Sequence, residues 1–121
     1  MSTEVPGALK PLRVLDLSQG VVGGACTKLL AGFGAEVIKV EPPGSGDVIR
    51  SMGPFWKDEP NSETGCLFLH LNTSKKSITL DLYAKDDQRL FLALLPHFDV
   101  LVENFVPGTM ARFGLDYPRV R

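Results

Sequence analysis

The sequence predicts an α/β fold: a Rossmann-like, mainly parallel sheet with flanking helices. Three observations carry that reading. Residues 13–47 read as strand, glycine-rich turn, helix and strand, a βαβ unit with an expected right-handed crossover. Two further runs of strand length follow at residues 77–81 and 99–103. Helical periodicity separates most of these runs, the pattern of a sheet wound by crossover helices.

In chain order, residues 1–12 hold Pro6, Gly7 and Pro11 and form a loose lead-in, and residues 13–121 form the folded segment. Arg-Val-Leu-Asp-Leu at 13–17 is too short for a core helix and suits a buried strand. Gly20, Gly23 and Gly24 then predict a turn, and Cys26, Leu29, Leu30 and Phe33 share one helix face that is expected to pack on the core. Gly34 is placed to end that helix in a left-handed conformation. Residues 36–41 form the second strand, closed by Pro42, Pro43 and Gly44. Residues 42–65 lack a sustained period, and so long a loop is usually functional or disordered. Residues 66–72 are apolar and fit either a short helix or an extended segment. Ile78 and Thr79 mark the third strand. Residues 86–95 form a helix with Asp86 and Asp87 at its start, Leu90, Leu94, Phe91 and Leu95 as its apolar face, and Pro96 as its stop. Val100, Leu101 and Val102 centre the fourth strand, followed by a turn at 104–108 and a short helix at 109–113. The chain ends about one turn into a further helical segment, and doubly wound sheets usually carry more than four strands, so an incomplete domain is expected.

Composition narrows the function classes. The chain has 121 residues and a net charge of -1, which gives no electrostatic case for nucleic acid or an anionic membrane. No apolar run approaches the roughly 20 residues of a membrane span. No secretory signal is visible, and two cysteines without metal-ligand spacing read as free thiols, so a cytoplasmic location is expected. His70 and His97 lack suitably spaced partners, and no metal site is expected.

Four segments should end strands on one edge of the sheet: residues 19–24, 41–44, 80–83 and 104–108. A nucleotide-sized ligand there would touch several of them. Asn104 offers an amide, Phe105 an apolar face, and Arg112 a cation for a phosphate; Asn104 as a simple turn cap is the plainer alternative. The dinucleotide fingerprint is not met, because the glycines are Gly20, Gly23 and Gly24, although Glu41 ends the second strand where that fingerprint wants an acid. Asp47 and Arg50 read as an exposed i, i+3 pair, Lys75 and Lys76 as a solvated turn, and Asp16 as a buried, hydrogen-bonded group rather than a catalytic carboxylate. No nucleophile–base pair is visible, so no catalytic residue is assigned.

At Arg-Val-Leu-Asp-Leu-Ser, Gly23 to Thr27, residues 34–41, Gly46-Asp47 with Arg50, residues 75–82, and above all residues 99–105 with Pro107, Gly108 and Arg112, the sequence resembles the class III CoA-transferase family. That family is of the CaiB/BaiF type and includes formyl-CoA transferase and acyl-CoA racemases. Pro42 replaces a basic residue common in relatives, and Gly23-Gly24 replaces glycine-proline. The resemblance implies a Rossmann-like N-terminal part of an interlocked homodimer. It also implies acyl-CoA and a small carboxylic acid as substrates, with no tightly bound cofactor. It places CoA contacts at Val21 and Val22, at Leu80, Asp81, Leu82 and Tyr83 around the adenine, and at Asn104, Phe105, Val106 and Arg112. It further implies transfer through an aspartyl-CoA intermediate, with the catalytic aspartate downstream of this chain, which alone is expected to be inactive. An acyl-CoA racemase segment and a non-catalytic α/β module are the alternatives.

Overall fold

The computed structural model describes residues 7–121, so the first half of the expected lead-in lies outside the described residues. The strands are β1 (Arg13–Asp16), β2 (Glu36–Glu41), β3 (Lys76–Thr79) and β4 (Val100–Val102). The helices are α1 (Gly20–Gly32), α2 (Cys66–Leu71), α3 (Lys85–Leu94), α4 (Thr109–Arg112) and α5 (Tyr117–Val120). The sheet order is β3-β2-β1-β4, and every pair is parallel. The chain steps outward from β1 to β3, then returns to lay β4 on the other side of β1. That reversal opens a crevice beyond the carboxyl ends of β1 and β4, where doubly wound sheets bind ligands.

Alternation along the central strands feeds two cores. Val14 and Val37 pack with Ala31 of α1, whereas Leu15 and Val40 pack with Phe91 of α3 and Phe113 after α4. On α3 the stripe is turned from the expected one: Leu90 is exposed and the fully buried residue is Phe91, with Leu94 and Leu95 partly covered. The larger ring occupies the core position, and Leu90 falls on the solvent side. Residues 66–72 resolve as the helix α2. Residues 42–65 carry two 3-10 turns, Val48–Ser51 and Trp56–Asp58, and are tied to β2 through Asp47 and Arg50, which pair with Lys39 and Glu41. Among the described residues no helix is long and apolar enough to cross a membrane.

The first helix corrects two expectations. Gly23 and Gly24 lie inside α1 rather than in a turn, and the buried face is Gly23, Gly24, Thr27 and Ala31. Cys26, Leu29 and Phe33 are exposed, and of the expected face only Leu30 is partly covered. Close approach explains the exchange: a Cβ on Gly23 would sit 2.2 Å from Ser18 Cβ, and one on Gly24 would meet Leu71 at 3.3 Å. Small residues let α1 lie against the end of β1 and against α2, and the large side chains turn outward. Gly34 ends the helix as expected, with a φ of 106°.

Gly23 and Gly32 therefore respond oppositely to alanine. Gly32 has nothing within 4 Å of an added Cβ, so Gly32→Ala gains about 0.4–1 kcal/mol from reduced unfolded-state entropy. Gly23→Ala loses about 1–3 kcal/mol, because overpacking against Ser18 outweighs any gain in helix propensity. Denaturant unfolding of the two variants reads the signs; equal effects would contradict the close approach.

Candidate functional site

The register of β1 and β2 places Asp16 beside Lys39 in the parallel ladder, and both are buried under α1. Asp16 Oδ1 accepts from Ser18 N–H at 2.9 Å and from the Ser18 hydroxyl. Its Oδ2 accepts from the Thr27 hydroxyl at 2.6 Å and faces Lys75 Nζ at 3.4 Å. Lys39 Nζ donates to the Ser18 carbonyl at 2.7 Å and meets Asp47 Oδ2 at 2.7 Å, an ion pair whose angle is off that of a hydrogen bond. Asp47 Oδ1 accepts from the N–H groups of Gly20 and Ile49, each at 3.0 Å. It thereby caps α1 in place of Gln19, whose side chain makes no cap, and puts negative charge at the positive end of the helix.

These contacts overturn the solvated readings. Asp47 and Arg50 do not pair with each other: Asp47 is buried against Lys39, and Arg50 binds Glu41 through two nitrogens at 2.6 and 2.9 Å while lying over the Phe68 ring. Lys75 is buried, donating to Asn72 Oδ1 and to the Gly24 carbonyl; Lys76 alone of that pair is solvated, against Glu36. Burial lowers the Lys75 pKa, with Asp16 opposing the shift. The signal in the sequence was Lys39, a lysine inside Val-Ile-Lys-Val-Glu on a strand covered on both faces, where a charge must find a partner.

On the opposite face of the sheet, the strand ends enclose a cleft of about 230 Å³. Of the ten residues expected at the site, Leu80, Asp81, Leu82, Tyr83 and Phe105 line it together. Phe113 is met edge-on by Tyr83, at 4.9 Å between ring centroids, and by Phe105, at 5.8 Å. Tyr83 remains largely exposed, so the cleft has an open aromatic wall and a mainly apolar floor suited to a flat ring. The other five residues lie outside its lining. Asn104 returns its amide to the β1–α1 loop, accepting from Gln19 N–H at 2.8 Å and donating to the Gln19 carbonyl at 2.7 Å. Arg112 is exposed and donates to the Thr109 hydroxyl at 3.0 Å. Val21 and Val22 open α1 with exposed side chains, and Val106 is exposed with its carbonyl bonded to Thr109 N–H. Gln19, Pro42, Thr109 and Phe113 line the cleft without having been singled out. Gln19 and Pro42 fall in segments already placed at the strand ends; Phe113 looked like the end of a short helix.

A larger groove, about 810 Å³, runs beside β4, which among the described residues pairs only with β1. It follows the open sheet edge rather than the strand ends and lies apart from the buried charges.

The CoA-transferase family III model matches residues 9–121. Succinyl-CoA:mesaconate CoA-transferase of Haloarcula hispanica is 49% identical over 115 residues, which are 95% of this chain and 29% of that protein. Formyl-CoA:oxalate CoA-transferase of Afipia carboxidovorans is 42% identical over 94% of this chain and 26% of its own length. The crystal structure of a CAIB/BAIF family protein from Brucella suis shares 33% identity with a TM-score of 0.83, over 96% of this chain and 30% of that one. A hypothetical protein (Rv3272) from Mycobacterium tuberculosis matches with a TM-score of 0.83 at 36% identity. The chain thus spans less than a third of the length of these relatives.

Glu41 gives the site a pH signature. Burial pushes its carboxyl up, but hydrogen bonds from Arg50, Asp47 N–H and the Ser77 hydroxyl prevail and hold its pKa at about 2. A depressed carboxyl stabilises the fold above its unfolded pKa, and that contribution fades as pH falls from about 5 to 2. The contribution is on the order of 3 kcal/mol. Glu41→Gln is therefore expected to melt well below wild type at pH 7, with the gap closing toward pH 2.5. A gap independent of pH would contradict the assignment.

Proposed function

The chain belongs to CoA-transferase family III, and from that membership and the cleft geometry we propose that residues 13–121 form the CoA-binding part of an enzyme that moves CoA between an acyl-CoA and a carboxylic acid. The observation that carries this is the aromatic cleft at the topological switch point, where Leu80, Leu82, Tyr83 and Phe105 offer a flat apolar slot for the adenine ring. The backbone at Val21 and Val22, the main chain at Val106 and the Arg112 guanidinium would serve the phosphates and the ribose side. The curated relatives are named as transferases, which favours transfer over racemisation. NAD fits poorly: Glu41, the acid a dinucleotide ribose would need, is spent on Arg50, Asp47 and Ser77.

In the proposed reaction an aspartate carboxylate attacks the thioester carbonyl of the donor, CoA leaves as thiolate, and a mixed anhydride forms. The thiolate then attacks the aspartyl carbonyl and releases the donor acid, giving aspartyl-CoA. The acceptor carboxylate repeats both steps in reverse. Asp16, Asp47 and Glu41 are buried and paired; on the family resemblance, we assign the nucleophile to the part of the relatives' length that this chain does not span. The chain's own share is binding and orientation, and remote contacts of this kind can act on kcat as well as on affinity. We assign an interlocked homodimer to the full-length protein; the exposed stripe of Val22, Leu29 and Phe33 on α1 supplies apolar surface for another element or subunit.

Calorimetric titration of the full-length protein tests the reading. CoA should bind, and Arg112→Ala should weaken it about 10- to 150-fold through loss of a charged hydrogen bond. NAD should show no comparable dependence. Tight NAD binding without CoA binding would overturn the proposal.

A further inference from the structure

The loop that joins β1 to α1 reaches the cleft through Gln19, and its main chain is held at five consecutive polar groups. Asp16 takes the Ser18 N–H, Lys39 the Ser18 carbonyl, Asn104 both groups of Gln19, and Asp47 the Gly20 N–H. Asp16 belongs to β1 and Asn104 follows β4, so those two anchors come with the strands that form the crevice. Lys39 and Asp47 come from β2 and from the turn after it, and they form an ion pair with each other. Lys39 and Asp47 are each 1% exposed, so neither can touch a ligand. A buried ion pair is often no more stabilising than apolar residues of the same volume, so its net contribution to folding does not explain its position.

We propose that Lys39 and Asp47 are positioning residues for CoA, acting through the Ser18–Gly20 loop; the proposal rests on the CoA reading above. Lys39 fixes the peptide plane before Gln19 and Asp47 the one that opens α1. Asp47 also starts the 3-10 turn at Val48 by accepting from Ile49 N–H, and Val48 N–H in turn donates to the Gln19 side chain at 3.1 Å. One ion pair therefore sets the backbone at the mouth of the cleft, the side chain of Gln19 on its wall, and the first part of the segment 42–65. With that loop fixed before binding, CoA need not order it, and the affinity it would otherwise forfeit is kept.

The test separates positioning from plain stability in the full-length protein. Lys39→Met, Asp47→Asn, their combination, and Val37→Ala, a core change remote from the loop, are compared by thermal melting, CoA titration and amide hydrogen exchange. Lys39→Met should bind CoA about ten-fold or more weakly and exchange the Gln19 and Gly20 amides faster without ligand. The double variant should recover melting temperature over Lys39→Met, because no buried charge is left unpaired. Its CoA affinity should stay low, because the Ser18 carbonyl still lacks its anchor. Val37→Ala should lose melting temperature while CoA affinity stays within about two-fold. Affinity that returns with stability in the double variant, or that falls equally in Val37→Ala, would overturn the proposal. Should Lys39→Met fail to fold, Asp47→Asn and the double variant carry the same comparison. A wild type that binds no CoA would overturn the CoA reading and the positioning role for CoA with it. Faster exchange in Lys39→Met would still establish the loop clamp, and unchanged exchange would refute it.

Discussion

Six charged side chains meet at the carboxyl end of a parallel sheet, and their need for partners governs the architecture around them. Asp16, Lys39, Asp47 and Glu41 are buried, with Lys75 and Arg50 nearly so, and the signs balance as Lys75 with Asp16, Lys39 with Asp47, and Arg50 with Glu41. Removing one member of such a pair leaves a stranded charge and costs about 3–5 kcal/mol. The β1–β2 register, which sets Asp16 beside Lys39, and the return of Asp47 and Arg50 to the sheet are thus constrained together. The small inner face of α1 follows from the same geometry, since Thr27 must reach Asp16 and Gly23 must clear Ser18.

Most of the charges lie on the face of the sheet opposite the cleft; Glu41 borders both, and the two sides share the β1–α1 loop. On one side the loop is tied to Asp16, Lys39 and Asp47; on the other, Gln19 lines an apolar slot with Tyr83 and Phe105. The division suits a binding element. Rigid, paired groups fix the backbone, and the surface offered to a ligand stays mostly apolar with an open aromatic edge. Residues 42–65 gain their order from the same source, because Asp47 and Arg50 lie at their start and Arg50 also reaches the Ser62 carbonyl and Glu63.

Much of the fold was legible because local signals and tertiary context agreed. Glu36 to Glu41 forms the strand its composition predicts, Gly34 ends α1, and the strand-end segments converge because a parallel crossover leaves them no other place. Periodicity misled on α1, where Cys26, Leu29 and Phe33 form a genuine stripe that faces outward. The glycines that read as a turn are the contact face instead. Asp47, Arg50 and Lys75 were misread because most of their partners, Asn72 beside Lys75 excepted, lie further along the chain or belong to backbone, which local spacing does not reveal. At the strand ends, Leu80 to Tyr83 after β3 and Phe105 after β4 line one cleft, while Asn104 is bonded to Gln19 and Arg112 to Thr109.

The most direct test of the cleft as the adenine end of a CoA site is a crystal structure of the protein with CoA bound. The adenine ring should lie in the slot formed by Leu80, Leu82, Tyr83 and Phe105, with the loop at Ser18 to Gly20 in the position it holds without ligand. CoA seated elsewhere with this slot empty, such as in the groove beside β4, would contradict it.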